Sequence, residues 1–153
     1  MEEEGKEIFR EFIKGHYQVI TAVLDTDILI DSSHGFAPWI KTLSHEKEKF
    51  LLVIPTIVIA EYLTAEENNL KEYSEKSKEF LQLFKIQDFT TEIAEILGAI
   101  LRKKTYSHSA STADLIIAST ALLLNAELVT RNKKDFAKIP DLTFFDPKKY
   151  DLL

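Results

Sequence analysis

Three acidic residues stand where burial would make a negative charge costly. Asp25 closes the first long apolar run of the chain, and Asp114 opens the apolar face of a later helix. Glu61 shares one helical face with Ile57 and Val58. An unpaired carboxylate in apolar surroundings is unfavourable, and several together also repel one another. A hard divalent cation such as Mg²⁺ or Mn²⁺ relieves both problems, so the pattern predicts a metal site if the three residues meet in space.

Each of these carboxylates also has an ordinary structural explanation. Asp25 could cap a turn, Asp114 could favour a helix N-terminus, and Glu61 could pair with a buried basic residue. We favour the metal site because all three occur at apolar positions of the sequence.

Further polar residues follow the fourth predicted strand. Asn132 and Asp135 have oxygen atoms that could bind a metal directly or through water, although both residue types are also frequent in turns. Arg131, Lys133 and Lys134 adjoin them. We predict that these cations bind a phosphate-bearing substrate; the alternative is an ordinary solvated surface.

Strands and helices alternate along the chain. Apolar, β-branched runs that are typical of buried strands occupy 19–24, 50–54, 85–89, 127–130 and 142–145. Helical spacing of apolar residues occurs in 7–13, 36–43, 57–65, 70–84, 93–101 and 115–124. This order predicts a mostly parallel sheet that is covered on both faces. In such sheets ligands bind at the carboxyl ends of the strands, where Asp25 is expected.

Composition limits the class of protein. The chain has 153 residues, 45% of them hydrophobic, no cysteine and a formal net charge of −6. These values fit one globular domain and exclude disulfide scaffolds, thiolate catalysis and cysteine-bound metals. The acidic start and the lack of an apolar run near about 20 residues lead us to expect a soluble, intracellular protein without a membrane segment. We expect an N-terminal helical extension at 1–18 and one catalytic domain at 19–153.

Four short motifs resemble those of the PIN-domain ribonucleases, and specifically the VapC-type toxins of toxin–antitoxin pairs. They are Val-Leu-Asp-Thr-Asp-Ile-Leu-Ile-Asp at 23–31, Ile-Ala-Glu at 59–61, Thr-Ala-Asp-Leu-Ile-Ile-Ala at 112–118 and Val-Thr-Arg-Asn-Lys-Lys-Asp-Phe at 129–136. The resemblance implies a three-layer α/β/α sandwich with an acidic pocket for Mg²⁺ or Mn²⁺. Asp25, Glu61 and Asp114 would form its main triad.

The resemblance also assigns roles to the last motif. The fourth acidic position would fall at Asp135 or at the slot held by Asn132, and Thr130 would be a supporting hydroxyl residue. Asp27 stands where asparagine is frequent, so this chain is a variant of the family pattern. The implied activity is metal-dependent endonucleolytic cleavage of RNA in the cytoplasm, leaving a 5′-phosphate and a 3′-hydroxyl. The implied partners are a small antitoxin protein and a second copy of the chain.

Two other functions remain open from the sequence. One is a non-catalytic PIN-like module that binds RNA or protein. The other is a phosphatase of the haloacid-dehalogenase type, in which Asp25 would be the nucleophile and Asp27 the acid–base. The chain has no Gly-Asp or Asp-Asp pair of the kind that such phosphatases use to bind metal.

Overall fold

The computed structural model describes residues 18–153, so the predicted helix at 7–13 and nearly all of the predicted extension lie outside the described residues. The five strands are β1 (Ile20–Leu24), β2 (Phe50–Pro55), β3 (Lys85–Gln87), β4 (Glu127–Val129) and β5 (Thr143–Phe144). Within the described residues, seven α-helices flank them: α1 (Thr26–Ser33), α2 (Trp39–His45), α3 (Thr56–Tyr62), α4 (Lys71–Leu81), α5 (Thr91–Lys103), α6 (Thr112–Leu123) and α7 (Lys133–Phe136). Two short 3₁₀ helices span Glu66–Asn69 and Pro147–Tyr150.

All the strands run parallel, in the order β3-β2-β1-β4-β5. The chain builds outward from β1 to β3 on one side and then returns to add β4 and β5 on the other side. The strand order therefore reverses between β1 and β4, and such a switch point leaves a crevice at the carboxyl ends of the two strands. The predicted α/β/α sandwich around a parallel sheet is confirmed.

The centre of the sheet is fully buried because β1 is covered on both faces. Ala22, Val23 and Leu24 have no exposed surface. The helix α6 packs against β1, β2 and β4 through a face that includes Ile117 and Ala121. The continuous apolar run of β1 thus reflects burial on both sides of the sheet.

The helix α1 was not predicted, although it carries much of the site. It begins directly after β1, and Asp25 is its N-cap residue. The signal was an aspartate followed by Thr26, Asp27 and the apolar pair Ile28-Leu29, which is typical of a helix start.

The prediction of a helix from residue 36 is wrong at its first turn. The chain turns at Gly35, whose φ of 82° favours glycine, and α2 begins only at Trp39, after Pro38. As a result Phe36 is 79% exposed and does not belong to the apolar face. Trp39 is half-buried and stacks on Phe145 with ring centroids 5.6 Å apart.

No helix within residues 18–153 is both long and apolar enough to span a membrane.

Candidate active site

Asp25 lies at the switch point and is almost fully buried, with 7% of its surface exposed. Its Oδ1 accepts a hydrogen bond from the backbone N–H of Thr26 at 2.7 Å. Its Oδ2 accepts from the hydroxyl of Thr130 at 2.8 Å. The backbone N–H of Asp25 donates to the carbonyl of Val129 at 3.0 Å. Asp25 is therefore held between the start of α1 and the end of β4.

The surroundings of Asp25 disfavour its charged form. Burial raises the pKa of its carboxyl from 3.8 to about 6, and the charges of Asp27 and Asp114 act in the same direction. Hydrogen bonds from Thr130 and Thr26 oppose this rise in pKa. A carboxylate in such a setting is stabilised strongly by a neighbouring cation, and perturbed acids of this kind are concentrated at functional sites.

Asp114 lies in the first turn of α6 and belongs to a capping box with Ser111. The hydroxyl oxygen of Ser111 accepts from the backbone N–H of Asp114 at 3.1 Å, and Oδ2 of Asp114 accepts from the backbone N–H of Ser111 at 2.7 Å. Because α6 packs against β1, this turn lies near Asp25, which explains why its charge affects the pKa of Asp25. Asp114 is thus a helix cap that also lies near Asp25, as Asp27 does, and we call the sheet edge with these carboxylates the acidic edge.

Glu61 reaches the same edge through Thr26. The helix α3 packs against both α1 and α6. The hydroxyl of Thr26 donates to Oε1 of Glu61 at 2.7 Å, while the backbone N–H of Thr26 is bound to Asp25. One threonine therefore links two of the predicted metal ligands, a role that the sequence analysis did not assign to it.

The turn after β4 supplies the hydroxyl that contacts Asp25. Thr130 is buried, and its Oγ1 accepts from the backbone N–H of Asn132 at 3.0 Å while it donates to Asp25. Between Thr130 and Asn132, the backbone N–H of Arg131 donates to Oδ2 of Asp27 at 3.1 Å. The guanidinium of Arg131 pairs with Asp31, with 2.8 Å between Nε and Oδ2. The sequence analysis assigned no role to Asp31.

Asp27 is half-buried beside Asp25. Burial raises its pKa, the hydrogen bond from the Arg131 backbone and the Arg131 charge lower it, and Asp31 raises it. Its Oδ1 is buried and accepts no hydrogen bond from any residue in the described part of the chain. An asparagine at this position would carry no charge, so Asp27 adds to the acidity of this edge.

Asp135 and Asn132 form a second group at the start of α7. The side-chain amide of Asn132 donates to Oδ2 of Asp135, and the hydroxyl of Ser109 donates to Oδ1 of Asp135. Asp135 therefore connects α7 to the loop that precedes α6. Asn132 joins this group to the acidic edge through its backbone contact with Thr130.

Lys133 and Lys134 are exposed on α7, next to the turn after β4. The ammonium nitrogen of Lys133 lies 5.7 Å from the centroid of the Phe144 ring. Within residues 18–153 neither ammonium group forms an ion pair, and both are accessible to a phosphate in solution.

The described side chains of the acidic edge are not arranged as a complete metal-binding site. Among residues 18–153, no group of three or more His, Asp and Glu side chains is arranged to hold a metal ion. Asp25, Glu61 and Asp114 each accept a hydrogen bond from the protein instead. The side chains at this edge nevertheless suit a hard cation, because they supply carboxylate oxygens, including an Oδ1 of Asp27 that accepts no hydrogen bond within residues 18–153.

Comparison with known families decides the class. Residues 22–142 match the family model described as PIN domain. The chain belongs to the PIN domain family. The predicted identity of a PIN-domain ribonuclease of the VapC type is confirmed, and PIN domains generally use divalent metal ions. This membership also leaves no support for the phosphatase alternative.

Known structures of toxin–antitoxin complexes resemble the chain over most of its length. A toxin–antitoxin complex from Klebsiella pneumoniae is 32% identical, with 80% of this chain and 95% of that chain covered and a TM-score of 0.62. VapBC2 from Rickettsia felis, bound to a DNA fragment from its promoter, is 26% identical, with 82% and 98% covered and a TM-score of 0.66. VapBC-1 from nontypeable Haemophilus influenzae is 25% identical, with 83% and 98% covered and a TM-score of 0.68. A comparison with curated proteins finds no significant match.

Proposed function

We propose that this PIN domain is a Mg²⁺- or Mn²⁺-dependent endoribonuclease whose acidic edge holds the metal. The observation that carries the proposal is the buried carboxylate of Asp25 at the switch point, with a pKa raised to about 6 by burial and by Asp27 and Asp114. A site that keeps acidic groups together in this way is suited to a divalent cation.

The carboxylates of Asp25, Glu61 and Asp114 would hold the ion, with Asp135 or Asn132 as a further oxygen ligand. When bound, the metal would polarise the phosphodiester and lower the pKa of a water molecule. Thr130 orients Asp25 through its hydroxyl. The products would carry a 5′-phosphate and a 3′-hydroxyl.

Two lysines beside the site would bind RNA. Lys133 and Lys134 place positive charge next to the turn after β4, in a chain whose net charge is −6. This local arrangement suits a restricted RNA target rather than general coating of nucleic acid.

The relatives support a biological setting for this proposal. The similarity to structures named as VapBC or as a toxin–antitoxin complex extends over nearly the whole matched chain in each of them. We therefore assign this chain the role of the toxin, acting in the cytoplasm. Its partners would be a small antitoxin protein that blocks the acidic edge and a second copy of the chain. Co-expression with an antitoxin of this kind should then suppress RNA cleavage.

RNA cleavage by the purified chain tests the proposed activity. A structured RNA should be cut in Mg²⁺ or Mn²⁺, left intact in EDTA, and left intact by an Asp25→Asn variant. Asp141→Asn is a matched control. Asp141 is exposed and precedes β5, so it lies at the amino ends of the strands, opposite to Asp25. Its φ of 65° is one that asparagine tolerates. Binding of RNA without cleavage under every metal condition would instead support the non-catalytic module.

A further inference from the structure

Two acidic residues of α1 lie on one face of the helix and meet a single arginine. Asp27 and Asp31 are four residues apart, a spacing at which like charges destabilise a helix. The Nε atom of Arg131 lies 2.8 Å from Oδ2 of Asp31 and 4.0 Å from Oδ2 of Asp27. The side chains of Asp27 and Asp31 are 23% and 18% exposed, so their charges are only partly screened by water. Arg131 therefore offsets a repulsion that α1 itself creates.

The same arginine fixes the backbone of the turn after β4. Its N–H donates to Oδ2 of Asp27 at 3.1 Å, so α1 holds both the main chain and the side chain of Arg131. The neighbouring Thr130 accepts from the N–H of Asn132 at 3.0 Å and donates to Asp25 at 2.8 Å. Displacement of this turn would move the donor that orients the Asp25 carboxylate.

We propose that Arg131 is a positioning residue for RNA cleavage, which holds Thr130 against Asp25 through its contacts with Asp31 and Asp27. The inference rests on the proposed function and replaces the direct contact with substrate that the sequence suggested for Arg131. Two carboxylates surround this one guanidinium, so the local field around it does not attract an RNA phosphate. Lys133 and Lys134 have no such acidic neighbours among the described ion pairs of residues 18–153 and remain the phosphate-binding cations.

Steady-state kinetics of Arg131→Ala and Asp31→Asn separate the two roles. A positioning role predicts that both variants lose kcat on the order of 10- to 100-fold, with KM almost unchanged, since misplacement of a catalytic group costs rate. Direct RNA binding predicts the opposite pattern: Arg131→Ala raises KM, and Asp31→Asn lowers it by freeing the guanidinium. The second pattern would overturn the proposal.

A double-mutant cycle gives a second readout. The Arg131→Ala/Asp31→Asn double variant should have a kcat no lower than that of Arg131→Ala alone, because both changes act on the same ion pair. Independent, multiplicative losses would contradict the proposal. Arg131→Lys keeps the charge and should recover part of kcat, whereas Arg102→Ala removes an exposed arginine of α5 and should change neither constant.

Hydrogen exchange distinguishes failure of this inference from failure of the proposed function. The Asn132 amide should lose protection in Arg131→Ala and in Asp31→Asn but keep it in Arg102→Ala. If the unmodified chain cleaves no RNA while these losses occur, the proposed reaction fails and the anchoring geometry stands. If the chain cleaves RNA and the Asn132 amide stays protected in both variants, the positioning role fails.

Discussion

At the residue scale, the buried carboxyl of Asp25 couples protonation to folding. Its pKa is about 6 in the fold and 3.8 in a solvated chain, so between these pH values the folded state holds a proton that the unfolded state has released. The free energy of unfolding of the metal-free protein should therefore fall as pH rises from 3.8 to 6. The full effect is about 3 kcal/mol, from about 1.4 kcal/mol per pKa unit. Below pH 3.8 Asp25 is mostly protonated in both states, so its charge no longer lowers the free energy of unfolding.

Urea unfolding in EDTA across pH 4 to 7 measures this effect. The Asp25→Asn variant lacks the titrating group. The unfolding free energy of the unmodified chain should therefore fall relative to that of the variant as pH rises from 4 to 6. Asp27, whose pKa is also raised by burial, remains in both proteins. Parallel pH profiles for the two proteins would show that Asp25 does not titrate in this range.

Thr130 has the second informative side chain at this scale, because its hydroxyl is buried and bonded at both ends. Thr130→Val keeps the shape but removes the donor to Asp25 and the acceptor for Asn132. Leaving such buried groups unpaired costs about 1–3 kcal/mol. Chemical denaturation should show this loss, and loss of the donor should raise the pKa of Asp25 further. Thr130→Ser retains the hydroxyl and should stay closer to the unmodified chain.

At the scale of elements, the start of α6 brings Asp114 to the acidic edge. The capping box fixes this start through reciprocal bonds between Ser111 and Asp114. Ser111→Ala removes the side-chain half of the box and should cost about 1 kcal/mol of unfolding free energy. Activity should fall as well, because the first turn then holds Asp114 less firmly. Ser111→Thr keeps the oxygen and is the matched control; equal losses in both variants would exclude a capping effect.

The elements also show why only part of the site could be read from the sequence. The strand ends, the loop that supplies the Ser111 cap, and the acidic position of Asp25 are signalled locally by apolar runs and their interruptions. The helix α1 was missed because it is short and begins without a break after β1. The contact of Arg131 with Asp31 joins elements 100 positions apart along the chain, and single-sequence spacing carries no signal for such a pair.

At the scale of the whole molecule, the strand order brings residues from the two halves of the chain to one edge of the sheet. Asp25 follows β1 and Thr130 follows β4, while Glu61 and Asp114 lie on helices that pack against each other. The acidic edge therefore depends on the assembled fold, and an unfolded chain would disperse these carboxylates. A ligand that binds only the assembled edge stabilises the entire fold.

This linkage predicts that a divalent cation raises the melting temperature of the purified chain. At a free Mn²⁺ concentration about 100 times its dissociation constant, the gain is about 2.7 kcal/mol, or roughly 5–10 °C for a domain of this size. Asp25→Asn should abolish the increase, whereas Asp141→Asn, at the opposite edge, should keep it. Calorimetric titration should show Mn²⁺ binding to the unmodified chain and to Asp141→Asn, but not to Asp25→Asn. A flat titration and an unchanged melting temperature in the unmodified chain would contradict a metal site at this edge, because ion binding to the folded state must appear in both measurements.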